Sequence, residues 1–392
     1  MKKLILSIFL LLTLTCPVSC GKKESDTNND IDFSKANTVQ FNEWNQVILN
    51  DGMLRFNEGG NPSLLDFNTL EEMIFCNDPG CTHTTSSCIA MTLKSSHQLP
   101  VIYNGSAYYF SNIQNQVDKD GKRCVELKAS IIRYDIENMQ TSTVGTLDGY
   151  NVSSCDGSGS YLIDSEYYFF TNNGDPIYDE AGNVLSTNNS GQAKLYSVNL
   201  DTEKITDHGE IFNYEEYKKD PDKRNLRPYF IGKHLNFLYI RLDMGNGTIY
   251  SPELYIFDTE TKKFTQHESV LSKSVVDGYL LYYTSDGKKT GIDKSNLNSD
   301  IRIYLENLDT GEVTEGPHPE YANMSIGGRR VWYDNCCYDI KTGKSADVPE
   351  LSDYLSCNYL AEYDGTYIIF AFSDSGEEIL KIPVKNIDKL FQ

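Results

Sequence analysis

Tryptophan is nearly absent from this chain of 392 residues, with Trp44 and Trp332 its only two copies. Basic residues are also scarce, with 35 Lys and Arg against 56 Asp and Glu and a formal charge of -21. Such a chain offers no basic patch to a polyanion, which disfavours nucleic acid and anionic lipid as electrostatic partners, and no nucleic-acid partner is expected. The acidity itself reads as solubility. Catalytic signatures are missing too: there is no Gly-x-Ser-x-Gly elbow, His-Glu-x-x-His helix, Walker loop or Rossmann glycine pattern. Asp118-Lys119-Asp120-Gly121 and Asp286-Gly287 do not continue into a calcium loop closed by Glu, and they read as hairpin turns. The histidines at 83, 97, 208, 234, 267 and 318 are scattered, and apart from His83 each reads as a surface or turn residue.

What the chain does have is tyrosine (27) and phenylalanine (17), residues that suit a pleated, half-buried surface. They recur in two phrases. One is an apolar-aromatic strand closed by an Asp/Asn-x-x-Thr turn, as in LYIFDTETKKFT from Leu254, with relatives from Leu64, Ile132, Leu195, Ile303 and Cys337. The other is a tight turn followed by an aromatic strand. It begins at Asn50, Asn104, Asp164, Gly232, Asp277, Gly327 and Asp364. Together they predict four antiparallel strands per unit and an all-β fold, a β-propeller of seven blades, with six or eight as alternatives. The strand order places the variable insertions 111–128, 171–194, 243–252 and 285–300 between second and third strands, and so on one face. The connections 77–99 and 213–228 are expected on that face as well, leaving tight turns opposite.

The first 19 residues read as a secretory leader, with two lysines, an apolar core and small residues before Cys20. This segment resembles a bacterial lipoprotein signal, which implies a lipid on Cys20, although Pro17 departs from the usual pattern and Cys16 is a weaker competing site. A plain secreted protein is the alternative. Residues 20–38 are polar and lack apolar periodicity, as a flexible tether does, and residues 39–392 are assigned to the propeller. An added hydrolase domain of roughly 200 residues finds no room.

Cysteines cluster once, as Cys76-x4-Cys81-x-His83-x4-Cys88. Three readings stay open for this cluster: structural disulfides, favoured by an exported compartment; a structural metal such as zinc, held by thiolates and imidazole; and free thiols. A catalytic cysteine is the weakest reading, because no nucleophile signature surrounds any of them. Vicinal Cys336-Cys337 is expected to reach separate partners. The motif, with Asn77 and Pro79, is similar to one in lipoproteins of clostridia and related gut bacteria. That family has no assigned function and carries propeller repeats like those of low-density-lipoprotein-receptor proteins and TolB. The resemblance covers the leader, the motif and the repeats, and it implies a surface lipoprotein with a propeller of six to eight blades and no established activity.

The expected function is that of a monomeric, extracytoplasmic module tethered to the bacterial cell membrane by a lipid anchor, binding or scaffolding a glycan, peptide or protein. A propeller glycoside hydrolase or polysaccharide lyase is the first alternative, and a purely structural envelope protein the second. With 56 acidic residues, no catalytic pair stands out.

Overall fold

A computed structural model describes residues 37–392 apart from 43–45, 57–60, 77, 79, 86–87, 97–99, 120–121, 153–158, 173–174, 179–183, 189–192, 213–226, 244–248, 251–252, 268–270, 286–291, 294–300 and 319–323. The leader, Cys20 and most of the tether lie outside these residues, as do Cys155, His97 and most of the connection 213–228.

The chain folds as successive antiparallel meanders, residues 46–74, 101–148, 160–210, 227–267, 271–315, 324–347 and 356–383. Strands within a meander pair in chain order, through short turns between first and second and between third and fourth strands, while the variable insertions lie between second and third. The last meander has three strands and not the expected four. Two further elements escaped the aromatic-strand pattern, helix α1 at Ile89–Ser96 and helix α2 at Val384–Lys389.

The two repeated phrases have a clear physical content. The Asp or Asn that closes the third strand of the first six meanders caps the following turn: Asp66 Oδ1 accepts from the Asn68 N–H, Asp135 from Asn138, Asn199 from Thr202, Asp258 from Glu260, Asn307 from Asp309 and Asp339 from Thr342, at 2.5–3.0 Å. Four residues after the capping residue the chain turns left-handed, at Leu70, Met139, Glu203, Lys262, Gly311 and Gly343. The short Asx turn is thus the reason for the Asp/Asn in the phrase.

Side chains join the meanders into a circle. Val47 and Leu64 share one apolar cluster with Phe110 and Phe169, so the first three meanders pack together. Phe170 then packs with Phe230, Leu254 with Leu280, Leu305 with Val331, and Trp332 with Ile369. The circle closes where Met53 and Phe67 of the first meander meet Leu360 and Phe370 of the last. This closed array of radially packed sheets is a β-propeller. Among the described residues no strand is shared across its closing seam, where side chains make the contacts: Tyr363 donates to Asn68 Oδ1 at 3.0 Å and Lys381 to the Asn68 carbonyl at 2.6 Å.

Neighbouring meanders repeat that contact. The residue just before the first turn reaches the Asp or Asn that precedes the Thr of the next meander's last turn. Tyr103 donates to Asp201 Oδ1 at 3.0 Å and His234 Nε2 lies 2.9 Å from Asp309 Oδ1, as Tyr363 meets Asn68. In the fourth meander the first turn is at Leu235–Asn236 and not at Gly232, which sits inside the strand Arg227–His234. There the backbone approaches Val275 in a parallel pairing, with a φ of 137° and space for no Cβ.

A leading strand, Thr38–Asn42, pairs with Gln46–Leu49 on the inner edge of the first meander. Thr38 Oγ1 accepts the Ile102 N–H at 2.9 Å and Asn37 Oδ1 the Asn104 N–H at 3.1 Å, which ties this strand to the second meander.

Candidate metal centre and the insertion face

Cys76, Cys81, His83 and Cys88 converge, with their ligand atoms all within 4.8 Å of one another. Local turns bring them there. Cys76 leaves the strand Glu72–Ile74 through a bond from its N–H to the Ile74 carbonyl at 2.8 Å. Asp78 then builds an Asx turn, its carboxylate accepting the Gly80 N–H at 2.9 Å and its carbonyl the Cys81 N–H at 3.1 Å. His83 takes the left-handed conformation, φ 55°, and Nδ1 of its ring comes within 3.5 Å of Cys88 Sγ. The His83 N–H points at Cys81 Sγ, 3.3 Å away, the kind of bond that orients a thiolate ligand.

Cys88 stands at the N-cap of α1, since its carbonyl accepts the Thr92 N–H. Burial opposes its ionisation, yet His83 and the Met91 N–H outweigh that and bring the thiol down to about 7. Burial and the thiols nearby push Cys76 the other way, up to about 12. One thiol is thus ready to ionise, and its anion would repel a second unless a cation were shared between them.

Three soft sulfur donors with one imidazole suit a closed tetrahedral site. Metal–sulfur bonds of about 2.3 Å put tetrahedral ligand atoms about 3.8 Å apart, so the cluster needs to contract by about 1 Å at most. No disulfide joins Cys76, Cys81, Cys88, Cys336, Cys337 or Cys357 among the described residues. A bridge between any two of the three clustered sulfurs would leave the third with no sulfur partner in the cluster. Cys336 and Cys337 do part company: Cys336 donates to Asp347 at 3.2 Å while Cys337 is buried with Cys357 in the core between the last two meanders. The side chain of Cys124 is outside the described residues.

The loop that carries the cluster is not a free connection on the insertion face, as its sequence suggests. Phe75, Ile89 and Leu93 are buried in the core shared by the first three meanders, with Cys76 packed against it. Tyr134 of the second meander faces the thiols, and burial together with Cys76 and Cys88 pushes its phenol up to about 12. The cluster is a wedge between the first two sheets. Only the Cys/His spacing marked it in sequence; α1 was missed because its apolar stripe, Ile89, Ala90 and Leu93, spans barely two turns.

Among the described residues, each insertion between second and third strands contributes β-structure. The first lengthens its hairpin, Ser106–Lys119 against Lys122–Asp135. The second adds the hairpin Asp175–Tyr178 with Val184–Asn188, whose later strand touches the long strand of the second meander. The third and fourth join each other through Ile249–Tyr250 and Ile292–Asp293. All rise from the end opposite the first turns, as the strand order requires.

Among the other histidines, His208 departs from the surface role expected of it. It lies between Tyr168 and Phe257, with Nε2 2.8 Å from Ser197 Oγ.

No protein-family profile and no curated protein matches the chain. Among solved structures it is similar to the β-propeller domain of the Trilobed protease from Pyrococcus furiosus, with 10% identity over 88% of this chain and 92% of that one and a TM-score of 0.42. It is also similar to an acylaminoacyl peptidase of Pyrococcus horikoshii, at 10% identity and a TM-score of 0.40 over 92% of this chain and 55% of that one. A GH43 β-xylosidase/α-arabinofuranosidase from a compost microbial metagenome gives 12% identity and a TM-score of 0.26, over 57% of this chain and 89% of that one. Similarity at this level carries neither activity nor substrate to this chain.

Proposed function

We propose that the protein is a lipid-anchored extracytoplasmic propeller of seven blades, one for each meander, that binds or scaffolds a glycan, peptide or protein through its insertion face. The observation that carries this reading is the mutual pairing of insertions from different blades. Insertions that were only tolerated would have no reason to associate, whereas a recognition surface needs its parts held in register on a rigid base. The leader and Cys20 supply the anchorage, on the resemblance to lipoprotein signals. The Cys76–Cys81–His83–Cys88 cluster is read as a structural zinc site that clamps the wedge between the first two blades.

The test replaces residues 173–192 by a short Gly-Ser turn and compares binding of the two soluble domains to glycan and peptide arrays and to isolated cell envelopes. Loss of binding with an unchanged thermal midpoint supports the reading; identical binding by both proteins sinks it. In cells, Cys20→Ala should move the protein from the membrane fraction to the medium, and retention in the membrane would remove the anchor.

A further inference from the structure

The leading strand covers the inner edge of the first meander and reaches the second and third. On the side formed by the first, fifth, sixth and seventh meanders a cavity of about 560 Å³ remains, at the end of the tight first turns and so away from the insertions. That volume is in the range that holds small molecules.

Asn50, Asp277, Tyr279, Arg329, Tyr359 and Glu362 contribute the polar and aromatic part of its wall. Arg329 is the unusual member. It occupies the second position of a two-residue turn, after Gly328, with a φ of 59°. Three other blades place glycine there, Gly105, Gly278 and Gly365. A side chain is strained in this region of φ, and such strain tends to persist where the side chain is used. The turn is held in place by Asp277, whose Oδ2 accepts the Arg329 N–H at 3.0 Å across the blade boundary.

Asp277, Arg329 and Glu362 are exposed residues lining the open mouth of this cavity; among the described residues the Arg329 guanidinium and the Glu362 carboxylate make no ion pair or hydrogen bond, and Asp277 spends its carboxylate only on that N–H. Opposite charges that share a cavity without pairing are complementary to a ligand that carries both signs. A singly charged ligand would meet one like charge. The tyrosine rings add faces on which an ammonium group or an apolar side chain can rest.

We propose that this cavity binds a small zwitterion, an amino acid or a short unblocked peptide, with Arg329 taking its carboxylate and Asp277 and Glu362 its ammonium group. The site is separate from the insertion face and stands or falls independently of it.

Calorimetric titration of the soluble domain with a panel of free amino acids and dipeptides tests the assignment, with the N-acetylated and C-amidated forms of each binder alongside. Binding is expected for the unblocked forms, weakened about tenfold or more by either block. Arg329→Gly installs the residue other blades use there, so it should raise the thermal midpoint while weakening unblocked peptides about tenfold and leaving the amidated forms unchanged. Glu362→Gln should do the same for the ammonium end. Absence of saturable binding by every panel member at millimolar concentration overturns the proposal, as does an affinity that Arg329→Gly leaves unaltered.

Discussion

His83 and His208 show how position decides what one residue type can do. His83 is bent into a cluster of thiols by a left-handed backbone, whereas His208 is enclosed by Tyr168 and Phe257. If the cluster holds zinc, Cys81→Ser and His83→Ala should each lose it, as read by metal analysis of protein purified without chelator. Retention of metal by both variants would show that it binds elsewhere. For His208, burial holds the imidazole down to about 4, from an ordinary value of 6.5. Between those values the unfolded chain binds a proton that the folded protein refuses, so stability is full above pH 6.5 and declines as pH falls toward 4. His208→Gln should flatten that part of the stability curve relative to the parent, measured by urea unfolding across the range. Equal slopes would mean that the ring charges freely in place.

At the scale of the element, the Asx-capped turn is the unit that the sequence repeats. Asn199 does most in its copy: its side chain accepts from the Thr202 N–H and hydroxyl and donates to Ser165 and Glu166. Asn199→Ala should therefore cost about 1–2 kcal/mol, read from chemical denaturation. Lys262 holds the left-handed position that Gly311 and Gly343 hold in later copies. Lys262→Gly should relieve that strain and stabilise by about 0.5–1 kcal/mol, and a loss of stability would show that the lysine side chain matters more than its backbone. These turns were legible because capping is local chemistry, written in residues two or three apart. The same holds for the Cys/His motif, whose ligands lie in one loop. What stayed hidden was set by partners distant in sequence. Gly232 looked like a turn because it precedes an aromatic strand, yet its conformation answers to Val275 in the next blade. The pairing of Ile249–Tyr250 with Ile292–Asp293 could not be read from either segment alone, nor could the convergence of Asp277, Arg329 and Glu362 on one cavity.

For the whole molecule, the closed circle makes every boundary between sheets a shared core, and the seam between first and last meanders is the one closed by chain ends. Gly232→Ala tests an interior boundary, where a Cβ would come 2.1 Å from the Val275 carbonyl oxygen. It should destabilise by about 2 kcal/mol or more, visible as a lower denaturation midpoint. The leading strand has a further consequence. It starts at the end of the tight turns and runs along Gln46–Leu49 with its hydrogen bonds perpendicular to its length. A pull on residue 37 along that axis loads the pairing in shear, so its bonds would have to yield together and not one after another. Under such a pull the strand would act as a mechanical splice, passing tension into the sheets of the ring.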